Sequence, residues 1–272
     1  MSREATAYGR FQVPEAPSAL RAIHWHRGGK LRSVDHEPKV GVLDQEDLIA
    51  QGIDTSKLIP GAKKVNALGS CTANATTAAL SNLLSEAEFL KLTGCSSYDD
   101  VVTAEEWAIG FYHRCTDQTG QPAQEWPPTD CGSSGPYIVE ELQTEKLASG
   151  AQIAHGARNI VSLMQTDGLL IGSPFLNAWE EPSANGFIDG NGTLAELERA
   201  ISLGVAGGHE TYWSAIEKIA FDNLGRVDPF GTIIRGRNSW TKSWGDAGSY
   251  YCHLSTFVAL GQYCDWRQLQ AA

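Results

Sequence analysis

The sequence predicts an α+β protein whose first half is mainly helical and whose second half is mainly strand. Two observations carry this expectation. From Thr72 onward, Ala73, Ala75, Ala78, Ala79, Leu80, Leu83 and Leu84 recur in a stretch with no Gly or Pro, which suits a buried helix beginning just after Cys71. Beyond residue 168 the period shortens, and GLLIGSPF, GGHETYWSAIEKIAFD, PFGTIIRGRNSW and GSYYCHLSTFVAL are apolar, β-branched and aromatic runs between Gly, Asp and Asn turns.

In chain order, residues 1–50 read as an irregular N-terminal extension. Its start, MSREATAYGRFQVPEAP, has no apolar stretch that would serve as a secretory signal, so the expected location is the cytoplasm, or export without such a signal. HWHRGGKLRSV and PKVGVL follow as short extended pieces broken by Gly and Pro. After the helix at Cys71, residues 104–114 and 136–148 read as two further helices, the second opening on Pro136, where a missing N–H costs little. A helical part over 65–165 and a strand-rich part over 166–265 result, with no internal repeat and no low-complexity linker. A chain of 272 residues fits one large domain or two closely joined halves.

Composition excludes several function classes. No apolar run approaches the roughly 20 residues of a membrane helix, so no span is expected. A net charge of −11 disfavours nucleic acid and anionic lipid, which need clustered Lys and Arg. The six cysteines are scattered and contain no C-x-x-C, so neither a metal nor a disulfide scaffold is expected. Cys115 and Cys131 bracket a turn-rich segment, and Cys252 and Cys264 bracket the last predicted strand and turn. Either pair is compatible with a bridge, or with buried thiols acting as small hydrophobes.

Cys71 stands apart from the other five. A thiol at a helix N-terminus meets the positive end of the peptide dipoles and unpaired N–H groups, which favour thiolate and stabilise an oxyanion formed when sulfur attacks a carbonyl. Gly69 and Ser70 leave room for a substrate beside it. A nucleophile also needs a base and a group to orient that base. His24, His26, His36, His113, His155 and His253 read as surface or core residues. His209 follows Gly207 and Gly208 at the start of a strand, where glycines permit close approach. Downstream, Asn238 precedes Trp240 and Trp244. An Asn oxygen accepts from an imidazole N–H and fixes its tautomer, and indoles exclude water from that bond.

LGSC entering a helix, then GGH, then NSW with WGDAG shortly after resembles the papain-like cysteine peptidases, in particular bacterial members with the LGSCTANA form of the Cys motif. The resemblance implies a papain-like domain over 51–272, with a helical left half, a β-barrel-like right half and the cleft between them. It implies Cys71 as nucleophile, His209 as general base and acid, Asn238 as the group orienting His209, and Trp240 as the cover of that contact. Gly69, Ser70 and Gly208 would touch substrate, which would be a peptide or protein. The implied reaction is cleavage of a peptide or amide bond through a thioester, with no cofactor. Residues 172–193 would form a loop near the cleft, with Phe175, Trp179 and Phe187 either lining a pocket or closing the loop onto the core.

Two departures from the family pattern stand out. The Gln expected six residues before the nucleophile is Val65, which has no hydrogen to donate. Asn66 is the nearest amide, and the expectation is that it either supplies the oxyanion donor or shapes a turn. The usual Gly after the motif Trp is Thr241. The alternative to a peptidase is a catalytically weak papain-like module that binds a peptide or protein in its cleft. A transglutaminase or peptidoglycan-cleaving enzyme fits NSW and WGDAGSY less well.

Overall fold

A run of small residues can pack a helix tightly against neighbours, and the chain uses this to bury one helix almost completely. The computed structural model describes residues 30–117 and 125–272. The leader, with His24 and His26, and part of the segment between Cys115 and Cys131 lie outside the described residues. The chain opens with β1 (Val34–Asp35) and α1 (Thr55–Leu58). Then α2 (Cys71–Leu83) begins at Cys71, and every residue from Cys71 to Ser81 is buried. Helix α3 (Glu86–Thr93) starts on a capping box between Ser85 and Glu88 and stops at Gly94, whose φ of 78° is a left-handed cap. Helix α4 (Val101–Asp117) takes in the helix expected over 104–114 and extends it at both ends. Helix α5 (Gly135–Thr144) carries Pro136 in its first turn, as expected, and ends earlier than expected because β2 (Ala148–Ala154) starts.

The second half interleaves strands with short helices. It contains α6 (Gly156–Leu163), β3 (Leu169–Leu176), a 3-10 turn at Asn177–Trp179, α7 (Leu194–Ser202), β4 (Val205–Lys218), β5 (Ile233–Arg237) and β6 (Ser249–His253). Helix α8 (Leu254–Ala259) and β7 (Asp265–Ala271) complete it. The run GSYYCHLSTFVAL therefore splits into strand and helix. Leu254, Phe257 and Leu260 are all buried, and their spacing of three is helical.

Among the described residues the strands form one antiparallel sheet in the order β2, β7, β3, β4, β5, β6, with β1 added against β4. Two apolar cores lie on its faces. On β3, Leu170 joins the core formed by the helices, whereas Leu169 and Ile171 join the second core. On β4, Tyr212 and Trp213 divide in the same way. Alternate residues of a strand point to opposite faces, so β3 and β4 read as continuous apolar runs because both faces are covered. Part of the expected N-terminal extension is built into this frame. Val34 pairs with Ile216 of β4, and Asp44 forms an isolated antiparallel bridge with Trp240.

Candidate active site

The first helical residue of α2 is Cys71 itself, and the Ser70 side chain makes no cap. Cys71 therefore sits at the positive end of the α2 dipole. The loop that delivers Cys71 is fastened by a carboxylate. Gly69 N–H donates to Asp130 Oδ2 at 2.8 Å, Tyr112 Oη donates to Asp130 Oδ1 at 2.7 Å, and Gly132 N–H donates to Tyr112 Oη at 2.8 Å. Burial pushes the Asp130 carboxyl above the usual range. Gly69 and Ser70 are both buried, with Gly69 N–H committed to Asp130.

His209 and Asn238 come together from β4 and the end of β5. His209 Nε2 lies 2.8 Å from Asn238 Oδ1, and the same oxygen accepts from Ser239 N–H at 2.8 Å. A backbone N–H only donates, so the atom facing the ring is the Asn oxygen, and Nε2 carries the proton. In the neutral imidazole Nδ1 is then the basic nitrogen. Trp240, 0% exposed, stacks on His209 with centroids 4.6 Å apart and planes 25° apart. Phe175 meets the edges of His209 and Trp240 at 5.2 and 5.0 Å, and Trp244 meets Trp240 at 5.4 Å. The imidazole is thus packed between aromatic rings.

This enclosure decides the fate of the aromatic loop residues. Phe175 lies in β3 rather than in a loop, and it packs on the histidine. Trp179 is buried against Phe175 and Phe257, and Phe187 packs on Tyr251 and His253. The loop-closing alternative holds for all three. Gly208 is half-buried in β4, opposite Pro174. Thr241 has a φ of 67°, a conformation that β-branched residues rarely adopt and glycine adopts freely. The family's Gly at this position therefore has a backbone reason, and Thr241 keeps the geometry under strain.

Asn66 is exposed, and its Nδ2 donates to the Glu46 carbonyl at 3.2 Å, while its own carbonyl accepts from Leu48 N–H at 2.9 Å. It shapes a turn. The amide that lies between the site's two loops is one that sequence reasoning missed, Gln45. It is completely buried. Its Nε2 donates to Leu68 O at 3.1 Å, and its Oε1 accepts from Ser239 Oγ at 2.7 Å. Its main chain is tied to the same two places, since Gln45 N–H donates to Ser239 O and Leu68 N–H donates to Gln45 O, each at 3.1 Å. Gln45 therefore joins the loop entering Cys71 to the residue after Asn238. A search at a fixed offset from Cys71 cannot find it, because residues 46–67, including α1, stand between.

The other candidates have structural occupations. His36 Nε2 meets Met164 O at 2.8 Å, His113 Nδ1 meets Trp126 O at 2.6 Å, and His253 Nδ1 meets Asp189 Oδ1 at 3.2 Å. None of the six cysteines is in a disulfide. Cys115 belongs to the helical core and Cys252 to the other core, and burial pushes both thiols well up. Burial likewise raises Cys95 and Cys131. These four are held as thiols, unlike a thiolate nucleophile. Among the described residues no helix is long and apolar enough to cross a membrane, and no group of three or more His, Cys, Asp or Glu is arranged to hold a metal.

No protein-family model and no curated protein matches the chain. Solved structures do. Xylellain, a cysteine protease from Xylella fastidiosa, superposes with a TM-score of 0.57 at 14% identity, over 99% of this chain and 98% of that one. The proCathepsin B S9 of Trypanosoma congolense superposes at 0.56 and 9% identity, over 98% of this chain and 88% of that one. Helices packed on an antiparallel sheet, superposing on these cysteine proteases over nearly the whole chain, give this chain the papain-like fold.

Proposed function

We propose that the chain is a cysteine peptidase that cleaves peptide bonds with Cys71, His209 and Asn238, the alternative being a papain-like module that only binds peptides. The observation that carries the proposal is the His209 to Asn238 contact under the Trp240 roof, joined through Ser239 and Gln45 to the loop entering Cys71. In this reading the Cys71 thiolate adds to the substrate carbonyl. His209, as imidazolium, gives its proton to the leaving amine, and a thioester remains on Cys71. His209 then takes a proton from water as that water adds to the thioester, and the acid product leaves with Cys71 restored as thiolate. Asn238 keeps the imidazole in the required tautomer without adding negative charge that would compete with the thiolate.

The oxyanion in both steps is bound by the Cys71 N–H and by the Gln45 amide, each such donor contributing about 3–4 kcal/mol in the transition state. Gln45 takes the role first considered for Asn66, whose amide is turned to Glu46. With a Gln available, the main reason for preferring a weak binding module, its apparent loss at Val65, falls away. The LGSCTANA form of the motif favours the bacterial branch of the family. Incubation with an epoxide peptide inhibitor followed by intact mass and peptide mapping tests the reading. One adduct on Cys71, lost in His209→Ala, is expected, together with loss of turnover of at least about a thousandfold in Cys71→Ser. Folded protein that takes no adduct at Cys71 would sink it.

A further inference from the structure

Helix α4 carries a carboxylate that the chemistry above does not use. Glu105 is completely buried. Asn74, one turn beyond Cys71 on α2, donates its Nδ2 to both Glu105 oxygens at 2.7 and 2.8 Å. Asp44 N–H donates to Glu105 Oε2 at 3.0 Å. Asp44 immediately precedes Gln45 and bridges to Trp240. One side chain thus holds the nucleophile helix with one hand and the backbone beside the oxyanion amide with the other. Asn74 also lines a cavity of about 10 Å³ whose walls include Asn238 and Ser239.

From this juxtaposition we propose that Glu105 is a positioning residue for the peptidase reaction, fixing the distance between Cys71 on α2 and Gln45 by clamping Asn74 and the Asp44 N–H together. The proposal rests on the function given above. The clamp needs acceptors facing donors. Glu105→Gln sets one amide NH₂ against the Asn74 NH₂ or the Asp44 N–H, and the two segments part slightly. In the double variant N74D/E105Q the new carboxylate on α2 accepts from the new amide, whose oxygen still faces the Asp44 N–H. Complementarity returns with donor and acceptor exchanged.

The experiment compares wild type, E105Q and N74D/E105Q on a fluorogenic peptide amide, with iodoacetamide alkylation of Cys71 and amide hydrogen exchange at residues 43–46 measured in parallel. A lost transition-state donor lowers kcat and leaves KM in place. Expected is a fall in kcat of about tenfold or more in E105Q with KM within about twofold, an unchanged Cys71 alkylation rate, exchange at 43–46 faster by about tenfold, and recovery of both kcat and exchange in the double variant. Wild-type kcat in folded E105Q, or equal damage in the single and double variants, would overturn the clamp. If wild type neither turns over peptide nor alkylates selectively at Cys71, the peptidase reading fails instead. In that case exchange decides the clamp, with acceleration in E105Q and recovery in the double variant supporting it and no acceleration overturning it.

Discussion

The two halves of the molecule hold their parts of the site by different means. On the helical side, the loop and helix around Cys71 are fastened by hydrogen bonds to carboxylates, the half-buried Asp130 at Gly69 and the buried Glu105 at Asn74. On the sheet side, the His209 ring is held by aromatic packing from Phe175 and Trp240, the latter backed by Trp244. Hydrogen bonds to carboxylates respond to protons, whereas ring packing responds to volume. The setting of Cys71 should therefore be sensitive to pH and the setting of His209 to side-chain size.

The largest effect that would break this contrast is at the roof. Trp240→Ala removes a fully buried indole and is expected to destabilise the protein by about 3–5 kcal/mol, read from the urea midpoint. A loss under about 1 kcal/mol would mean that packing does not hold the sheet side. Next comes the link between the halves. Gln45→Ala is expected to lower kcat by about 10²–10³ with KM nearly unchanged, while Asn66→Ala and Val65→Gln stay within about twofold of wild type in peptide kinetics. The reverse ranking would return the oxyanion role to the segment just before Cys71.

The pH arm is of similar size. Burial raises the Glu105 carboxyl from 4.5 to about 7. Between those values the folded protein holds a proton that the unfolded chain releases, so stability falls as pH rises through the window, by about 3 kcal/mol in total. Asp130, also raised by burial, acts in the same direction. Exposed caps act oppositely. Glu88 and Glu196 are lowered chiefly by hydroxyl hydrogen bonds from Ser85 and Thr193, so their contribution is present above the usual carboxylate range and lost on acidification. Thermal melts from pH 5 to 8 should slope downward for wild type and less steeply for Glu105→Gln, and identical slopes would remove the helical side's pH sensitivity. The smallest effect is at Thr241. Thr241→Gly relieves the left-handed strain and is expected to stabilise by about 1 kcal/mol, checked by the same melts.

What the sequence made legible followed residue chemistry and local period. The helix start at Cys71 and the pairing of His209 with Asn238 were readable because thiol, imidazole and amide sit in short motifs of their own. Strands β3 and β4 were readable because both of their faces are apolar. Strand β7, between β2 and β3 in the sheet, was hidden by its composition. Its Asp265, Arg267 and Gln268 are buried polar residues, satisfied by one another and by the distant carbonyls of Leu163 and Asp167. Only tertiary partners make such a strand possible. Helix α7 did carry a local signal, the capping box between Thr193 and Glu196, inside a region dominated by Gly and Asn. Gln45 was hidden because its meaning depends on a closure across many residues.

That closure has a consequence of its own. Residues 46–67 leave and re-enter the site through a neck formed by Gln45 and Leu68, which exchange two hydrogen bonds, with Leu48 to Asn66 as the next rung. Lengthening such a loop costs only about 0.6 kcal/mol per doubling, and the neck isolates the site from whatever lies beyond it. The segment is thus a port for evolutionary insertion. A lineage can install or delete a recognition element here, beside Cys71, while Gln45 and Cys71 stay in register in space and drift apart in sequence.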